Sequence, residues 1–199
     1  SMAIYEGRMH VGTWPTGSVF TYGGPQNWKH VGRLGMEKEV MGMSVYNGKL
    51  YAGTLPMADV YRYEGDGRWV TTGQLDHTPD VRYRRAWSMA VFQGKLFCGV
   101  LPSGHVHSLE AGKSVTYDRE LSAGWHHLAA VRAGDRLVLY VDGRKVATSS
   151  QLDPSLFDLA GERPLKIGFG QHDYFNGRMR DVRIYNRALA PGEVKKLGR

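Results

Sequence analysis

The sequence predicts an all-β fold, and three observations support this prediction. The 199-residue chain contains 26 glycines that separate short apolar runs, which is typical of β proteins with many turns. A Gly-x-x-x-x-Gly-x-x-Pro pattern recurs three times within residues 7–102. In the second half, apolar runs flank the turn residues Gly134-Asp135 and Asp142-Gly143, as expected for β-hairpins. The hydrophobic content of 42% argues against disorder.

The recurring pattern defines a repeat. Its copies occupy residues 7–15, 48–56 and 94–102, and they begin 41 and 46 residues apart. In the first two copies a tryptophan follows thirteen residues after the proline, at Trp28 and Trp69. Because large aromatic side chains bury substantial area, we expect these two tryptophans to occupy equivalent buried positions.

The second copy indicates how one repeat folds. Turn residues separate four short strands, which we predict at Met41–Tyr46, Lys49–Thr54, Asp59–Tyr63 and Arg68–Gln74. A four-stranded meander of about 40 residues is the unit of a β-propeller. Closed propellers contain about four or more such units, and the chain has three copies. The repeats therefore form either a truncated propeller or extra hairpins packed on a second domain. A five-bladed propeller, with residues 122–160 and 161–199 as divergent blades, is a third alternative.

The second half of the chain predicts further strands and a short C-terminal helix. Two hairpins are expected within residues 125–146, around the two turns named above. Apolar residues predict two more strands at 164–170 and 177–189, joined by the polar segment 171–176. The segment 191–197 begins with proline and carries two lysines near its end, which predicts a short helix.

The order of these motifs resembles a known family. W-H-H-L-A-A-V from Trp125, then L-Y-V-D-G, I-G-F-G, F-N-G and V-R-I-Y-N-R-A-L, resembles laminin-G-like, concanavalin A-like jelly-roll domains of secreted bacterial proteins. The resemblance covers roughly residues 85–199 and implies a jelly-roll β-sandwich. We therefore expect β-propeller-like (sialidase-like) repeats in residues 1–80 and a laminin-G-like jelly-roll domain in residues 81–199. The chain departs from the family at Arg180, where an acidic residue is usual.

The third copy of the repeat has two interpretations. It is either the last propeller-type blade or the leading strand pair of the sandwich. We favour the sandwich, because residues 87–97 resemble the strands that precede the Trp-His-His motif in the family.

Charge and composition limit the classes of partner. The net charge of +7 and the pI near 9.5 favour an anionic partner. The basic residues are dispersed and no nucleic-acid-binding motif is recognisable, so a glycan, in particular an acidic polysaccharide, is favoured over nucleic acid. No apolar run approaches the ~20 residues needed to span a membrane. The single cysteine, Cys98, lies in an apolar strand, and we expect a buried, inert thiol.

Two loops carry residue types that suit sugar binding. The first loop, residues 171–176, offers the candidates Gln171, His172, Asp173, Tyr174 and Asn176. Planar hydrogen-bonding groups beside an aromatic face are suited to hold a sugar ring. The structural alternative is that Tyr174 and its apolar neighbour close the edge of the sandwich while Asn176 only turns the chain.

The second loop offers the candidates Arg82, Arg84, Arg85 and Trp87. Guanidinium groups bind carboxylate or sulfate groups bidentately. The alternative here is a solvated linker between two structural units. We favour the first loop, because it falls inside the resemblance and a rigid sheet is expected to hold both of its ends.

No catalytic residues and no cofactor are predicted. The aspartate box of sialidase-like proteins is not matched, and the predicted strands offer no carboxylate pair of the kind that glycosidases use. Spacing typical of zinc ligands is absent. The resemblance implies a structural Ca²⁺ as an option, for which Asp153, Asp158 and Asp173 offer oxygen ligands.

The resemblance implies a function outside the cytoplasm. We expect a non-catalytic carbohydrate-binding or adhesion module of a larger secreted bacterial protein, extracellular or periplasmic, and the sequence does not fix its oligomeric state. A fragment of a sialidase-like or other glycoside-processing enzyme and a structural module for protein contacts are the two alternatives. Ser1-Met2 is typical of a cloning remnant, so we expect the natural start, with any signal peptide, to precede these residues.

Overall fold

A computed structural model describes residues 1–157 and 164–198. Within these residues, fourteen strands form four antiparallel sheets, which confirms the predicted all-β class. The chain divides into two compact units. The first comprises Ser1–Val91, Leu96–Leu109 and Lys166–Asn176, and the second comprises Phe92–Lys95, Glu110–Leu165 and Gly177–Arg199.

Two four-stranded meanders form most of the first unit. The first sheet contains, in chain order, β1 (Met2–Tyr5), β2 (Arg8–Gly12), β3 (Ser18–Tyr22) and β4 (Trp28–Arg33). The second sheet contains, in chain order, β5 (Glu39–Tyr46), β6 (Lys49–Leu55), β7 (Asp59–Gly65) and β8 (Arg68–Gln74). The four strands predicted for the second repeat are therefore confirmed, each within two residues of its predicted bounds.

The third copy of the repeat forms a three-stranded sheet. It contains β9 (Arg85–Phe92), β10 (Lys95–Leu101) and β11 (Val106–Leu109) in the order β11-β10-β9. Each copy ends in a proline that follows a cis peptide bond. The residues two positions after these prolines all have a positive φ of 59° to 72°, and they are Gly17, Ala58 and Gly104. The three copies thus share one turn geometry.

The first two sheets are related by a constant offset of 41 residues. One row of facing residues across the first sheet consists of Met2, Val11, Phe20 and His30. The matching row across the second sheet consists of Met43, Ala52, Tyr61 and Thr71. The repeat predicted from sequence is therefore confirmed in strand register.

The second sheet packs against the first through one face. Ala52 and Tyr61 form a buried cluster with residues of the first repeat, namely Val19, Val31 and Leu34. Trp69 packs against this cluster, and its indole Nε1 donates a hydrogen bond to the carbonyl oxygen of Val31 at 2.9 Å. The Tyr5 hydroxyl also donates to the carbonyl oxygen of Gly48 at 3.1 Å, so the contact between the two sheets is apolar with directional hydrogen bonds.

The two repeat tryptophans differ in burial. They are equivalent in register, because Tyr22 faces Trp28 in the first sheet and Tyr63 faces Trp69 in the second. Trp69 is half-buried against the first sheet, whereas Trp28 is 47% exposed. The prediction that both are buried is wrong for Trp28, because no sheet covers its face among the described residues.

The second and third sheets approach each other closely through glycines. A Cβ atom at Gly53 would lie 2.4 Å from the carbonyl oxygen of Ala86, and one at Gly42 would lie 2.8 Å from that of Trp87. Three sheets fall short of the number that closes a propeller. The described residues beyond Gly124 contain no further four-stranded sheet, so the five-bladed alternative is not supported. The domain boundary at residue 80 stays a prediction.

The second unit contains one three-stranded sheet and the C-terminal helix. The sheet consists of β12 (Leu128–Ala133), β13 (Arg136–Val141) and β14 (Arg144–Thr148). The helix α1 (Pro191–Leu197) and a 3-10 turn (Pro154–Leu156) complete its regular structure among the described residues. A buried cluster joins sheet and helix, and it contains Val131, Val138, Tyr140, Leu189 and Val194. The two predicted hairpins and the helix are confirmed.

The strands predicted at 164–170 and 177–189 are wrong. The described backbone there forms only an isolated bridge between Phe169 and Tyr174. The apolar side chains of these segments are exposed, for example Ile167 at 58% and Ile184 at 72%. A strand is stable only beside a hydrogen-bonded neighbour with a face to bury, and neither is supplied here.

Candidate functional site

The predicted sugar-binding loop, residues 171–176, belongs to the first unit and contacts the turns of the first two sheets. The Gly48 N–H donates to Oε1 of Gln171 at 2.7 Å, and the Gly7 N–H donates to the carbonyl oxygen of His172 at 2.8 Å. Nδ1 of His172 lies 3.3 Å from the carbonyl oxygen of Ile4. The side chains of Gln171 and His172 therefore already have hydrogen-bond partners within the protein.

The remaining candidates of this loop lie at its exposed tip. Oδ1 of Asp173 accepts a hydrogen bond from the Tyr174 N–H at 2.7 Å. Tyr174 is 75% exposed, and its ring meets that of Phe169 edge-on at 4.7 Å between centroids. Asn176 is exposed. The prediction that two strands flank the loop is wrong, and Asp173 acts here as a turn cap.

Arg84 of the second predicted loop has a structural role. Its Nε donates to the carbonyl oxygen of Thr78 at 2.9 Å, and its Nη2 donates to the same oxygen. Its backbone N–H donates to the carbonyl oxygen of Pro56 at 2.8 Å. Because its donors close a loop beside the second sheet, Arg84 has little capacity left for a ligand.

Arg82 and Arg85 surround an aromatic ring. Their guanidinium carbons lie 5.0 Å and 5.9 Å from the ring centroid of Tyr83. Arg85 also lies 6.0 Å from the ring of Trp87, which is 50% exposed. Neither arginine forms an ion pair with a carboxylate in the described part of the chain. Both guanidinium groups thus keep donors for an external anion.

A cavity of about 420 Å³ opens beside Arg85. Its lining consists of Trp14, Pro15, Lys38, Glu39, Leu55, Tyr83 and Arg85. The repeat accounts for this arrangement, because the proline turn of the first copy supplies Trp14 and Pro15 and the matching segment of the second copy supplies Leu55. Two cations and one carboxylate line the cavity together with two aromatic rings, and Trp14 is 67% exposed. We call this space the proline-turn cavity.

Sequence reasoning found Arg85 but missed Trp14 and Lys38. The signal that was available is the alignment of the repeat itself, since equivalent turns of two adjacent repeats lie on one side of a stack of sheets. Of the predicted residues, the structure brings Arg85 to the cavity, whereas Arg82 and Trp87 flank it through their contacts with Tyr83 and Arg85.

Two buried carboxyl groups of the first unit hold loops. Asp76 is 1% exposed and accepts bonds from the Thr78 N–H at 2.8 Å and from the Ser103 hydroxyl at 2.7 Å. Burial alone would raise the pKa of Asp76, but these hydrogen bonds outweigh it and hold the pKa below its ordinary value. Burial raises the pKa of Glu37, which accepts a bond from the Met57 N–H at 3.2 Å.

Ser122, His126 and Asp142 of the second unit are arranged like a catalytic triad. Nδ1 of His126 lies 2.8 Å from Oδ2 of Asp142, and Nε2 lies 3.3 Å from the Ser122 hydroxyl. However, Nε2 is also 2.8 Å from the carbonyl oxygen of Ser122, which can only accept a hydrogen bond. Bonds to Asp142 and to this carbonyl raise the pKa of His126. Nε2 therefore donates its hydrogen to this carbonyl oxygen and has no lone pair to take a proton from the Ser122 hydroxyl, so the group acts as a structural clamp.

The described residues contain no group of three or more His, Cys, Asp or Glu side chains placed to hold a metal ion. Asp153 caps the 3-10 turn by accepting bonds from the N–H and the hydroxyl of Ser155, and Asp158 lies outside the described residues. The structural Ca²⁺ stays a prediction. Cys98 is buried as expected, and burial raises the pKa of its thiol to about 11. Among the described helices, none has the length and apolarity to cross a membrane.

Comparisons with known proteins bear on the fold. The sequence profile of a laminin-G family, described as the concanavalin A-like lectin/glucanases superfamily, matches residues 68–195. Among solved structures, the chain is similar to residues 221–444 of an S-layer domain-containing protein from Clostridium thermocellum. That match has 19% sequence identity and a TM-score of 0.35, and it covers 92% of this chain and 100% of the other. No curated protein sequence matches the chain.

Proposed function

We propose that this chain, which belongs to the concanavalin A-like lectin/glucanases superfamily, is a non-catalytic module that binds an acidic carbohydrate outside the cell. Membership of the superfamily supports the general role of carbohydrate binding or adhesion. The proline-turn cavity carries the more specific proposal, because it combines an exposed aromatic ring, Trp14, with two cations that form no ion pair within the described residues.

The chemistry of the cavity suits an acidic sugar. The apolar face of a sugar ring stacks on an aromatic side chain, and Trp14, which is 67% exposed, offers such a face. A uronic-acid carboxylate or a sulfate accepts bidentate hydrogen bonds from a guanidinium group, and Arg85 has no carboxylate partner in the described residues. Lys38 adds a second positive charge to the same lining.

The loop at 171–176 is the weaker of the two candidate sites. Its amide and imidazole groups bond to the turns at Gly48 and Ile4, so a sugar would have to displace these contacts. Displacing a bond that is already made reduces the net gain from a new one. The proline-turn cavity requires no such exchange at Arg85.

Calorimetric titration of the chain with oligogalacturonate and with a neutral oligosaccharide of equal length tests the proposal. We expect binding of the acidic sugar only, and weaker binding as salt concentration rises. Arg85→Gln should weaken binding by about tenfold or more, because a hydrogen bond to a charged group contributes about 1.5–3 kcal/mol. Trp14→Ala should also weaken binding, through loss of the stacking face.

Matched controls are available for both substitutions. Arg119 and Trp28 are exposed and are not among the residues that line the cavity. Arg119→Gln and Trp28→Ala should therefore bind the acidic sugar as the parent chain does. Equal losses in control and cavity variants, or equal affinity for the acidic and the neutral sugar, would contradict the proposal.

A further inference from the structure

One face of the first sheet is apolar and exposed. We call it the outer face, and its residues alternate along β1–β4. Four of them are exposed and three are half-buried, namely Met2, Ile4, Tyr22 and Trp28 in the first group and Met9, Val11 and Phe20 in the second. Met2 is 70% exposed, and Ile4 and Tyr22 are each 41% exposed. Two aromatic pairs extend across it, Phe20 with His30 and Tyr22 with Trp28, each with ring centroids 5.1 Å apart. Contiguous exposed apolar patches of this kind mark interaction surfaces.

The second sheet indicates what such a face binds. The residues 41 positions after the outer face are Met43, Val45, Leu50, Ala52, Tyr61, Tyr63 and Trp69. All seven belong to the two clusters that pack against the first sheet. Each position keeps an apolar or aromatic side chain, and the Tyr63–Trp69 pair repeats the Tyr22–Trp28 pair with ring centroids 4.9 Å apart. The outer face of the first sheet is thus equivalent to the face of the second sheet that packs against the first sheet.

The surface that receives the second sheet is also defined. It presents Tyr5, Val19, Val31 and Leu34, all of them buried by the contact. The carbonyl oxygen of Val31 accepts the indole N–H of Trp69. Gly32 makes room for the indole, since a Cβ atom there would lie 2.7 Å from Cδ1 of Trp69. The Tyr5 hydroxyl donates to the carbonyl oxygen of Gly48 in the second repeat at 3.1 Å, so shape, apolar area and hydrogen bonds together specify the contact.

We propose that the outer face of the first sheet docks a further four-stranded repeat of the same type, which presents the surface that the first sheet presents to the second. This occupant is favoured over a second copy of the chain for a structural reason. The receiving surface of the first sheet is covered by the second sheet, and the second sheet approaches the third across Gly42 and Gly53. A second copy could present only its third sheet, which among the described residues has three strands and no counterpart of β4, so it would offer neither the Val31 acceptor nor the space at Gly32.

A tandem chain tests the proposal. A copy of residues 1–41 placed before Ser1 reproduces the spacing of 41 residues between the first two repeats. The added copy carries Trp28→Phe, so that the original Trp28 alone reports on docking. The fluorescence of the original Trp28 is isolated by subtracting the fluorescence of the same chain carrying Trp28→Phe, and its acrylamide quenching constant is then determined. The constant of Trp69 is determined in the parent chain in the same way, with Trp69→Phe. In the tandem chain we expect the quenching constant of Trp28 to fall to that of Trp69.

Lysine substitutions on the outer face provide the control. Ile4→Lys and Tyr22→Lys in the original sheet should leave the melting temperature of the parent chain nearly unchanged, because both positions are exposed there. In the tandem chain the same substitutions should restore quenching of Trp28. Unchanged quenching in the tandem chain overturns the proposal, as does equal protection with and without the lysines. Concentration-dependent protection of Trp28 in the parent, with a dimer in sedimentation velocity, also overturns it and identifies a second copy as the occupant.

Discussion

The first and second sheets share one strand register, yet they bury their equivalent faces to different extents. In the second sheet, Tyr63 and Trp69 pack against the first sheet. In the first sheet, the matching residues Tyr22 and Trp28 are 41% and 47% exposed. The residue types, the strand pairing and the ring contacts are alike, so the difference arises from the neighbouring sheet alone.

This comparison separates two kinds of information in a repeat sequence. Alternation of apolar side chains specifies which face of a sheet gains free energy from burial. Whether that free energy is realised depends on an element elsewhere in the chain or in a partner. At roughly 25 cal/mol per Å² of apolar surface, a face of seven apolar residues represents a substantial unrealised stabilisation. The outer face of the first sheet therefore carries the residue types of a buried sheet face, although no sheet covers it among the described residues.

The tryptophans provide the largest expected effect. Trp69→Ala should lower the free energy of unfolding by about 3 kcal/mol, the lower end of the cost of truncating a large core aromatic. Trp69 is half-buried, and the substitution removes its packing against two clusters and its bond to Val31. Trp28→Ala should cost under ~1 kcal/mol, as for most exposed positions. Urea denaturation of the two variants measures both values. Similar losses for the two would contradict the burial difference on which the comparison rests.

Gly35 and Asp76 are a second pair of equivalent positions in the two repeats. Substitution of Asp76 should have an intermediate effect on the free energy of unfolding. Gly35 gives space to the second sheet, since a Cβ atom there would lie 2.3 Å from the Tyr61 hydroxyl oxygen. Asp76 instead bonds to Ser103 after β10. Asp76→Ala removes the buried acceptor of these hydrogen bonds, so we expect a loss of about 1–3 kcal/mol in the free energy of unfolding.

The pH dependence of Asp76 has a defined sign. The folded state holds the pKa of Asp76 below its ordinary value, so its contribution is fully present above the unfolded pKa of about 4 and is lost as pH falls below it. Thermal melts between pH 7 and pH 3 should therefore show a smaller fall in melting temperature for Asp76→Asn than for the parent. Parallel curves for the two proteins would indicate that Asp76 does not carry this stabilisation.

The strands of the repeat were predictable because their signals are local. Asn47-Gly48 and Asp66-Gly67 adopt the positive φ angles that two-residue hairpins require, and the sequence shows such pairs directly. The segments at 164–170 and 177–189 carry an equally apolar pattern, but a strand also needs a paired neighbour. No single-chain pattern specifies that neighbour, and the two predicted strands were wrong for this reason.

The candidate site was predictable only in part. Arg85 was found because guanidinium groups beside aromatic rings are visible in sequence. Trp14 and Lys38 lie about 70 and 50 residues earlier in the chain, and only the stacking of adjacent repeats brings them to the same cavity. The position of the 171–176 loop was missed for a similar reason, since Gln171 bonds to Gly48 across 123 residues of sequence.

The 171–176 loop provides the smallest expected effect and a direct test between the two candidate sites. It contacts equivalent turns of both repeats, at Gly7 in the first and Gly48 in the second, whereas Asp173 only caps its own turn at an exposed position. Asp173→Ala should therefore change the free energy of unfolding by no more than ~0.5 kcal/mol. It should also leave the affinity for oligogalacturonate at the parent value, while Arg85→Gln lowers it. If Asp173→Ala weakens binding and Arg85→Gln does not, the sugar binds at the loop rather than in the proline-turn cavity.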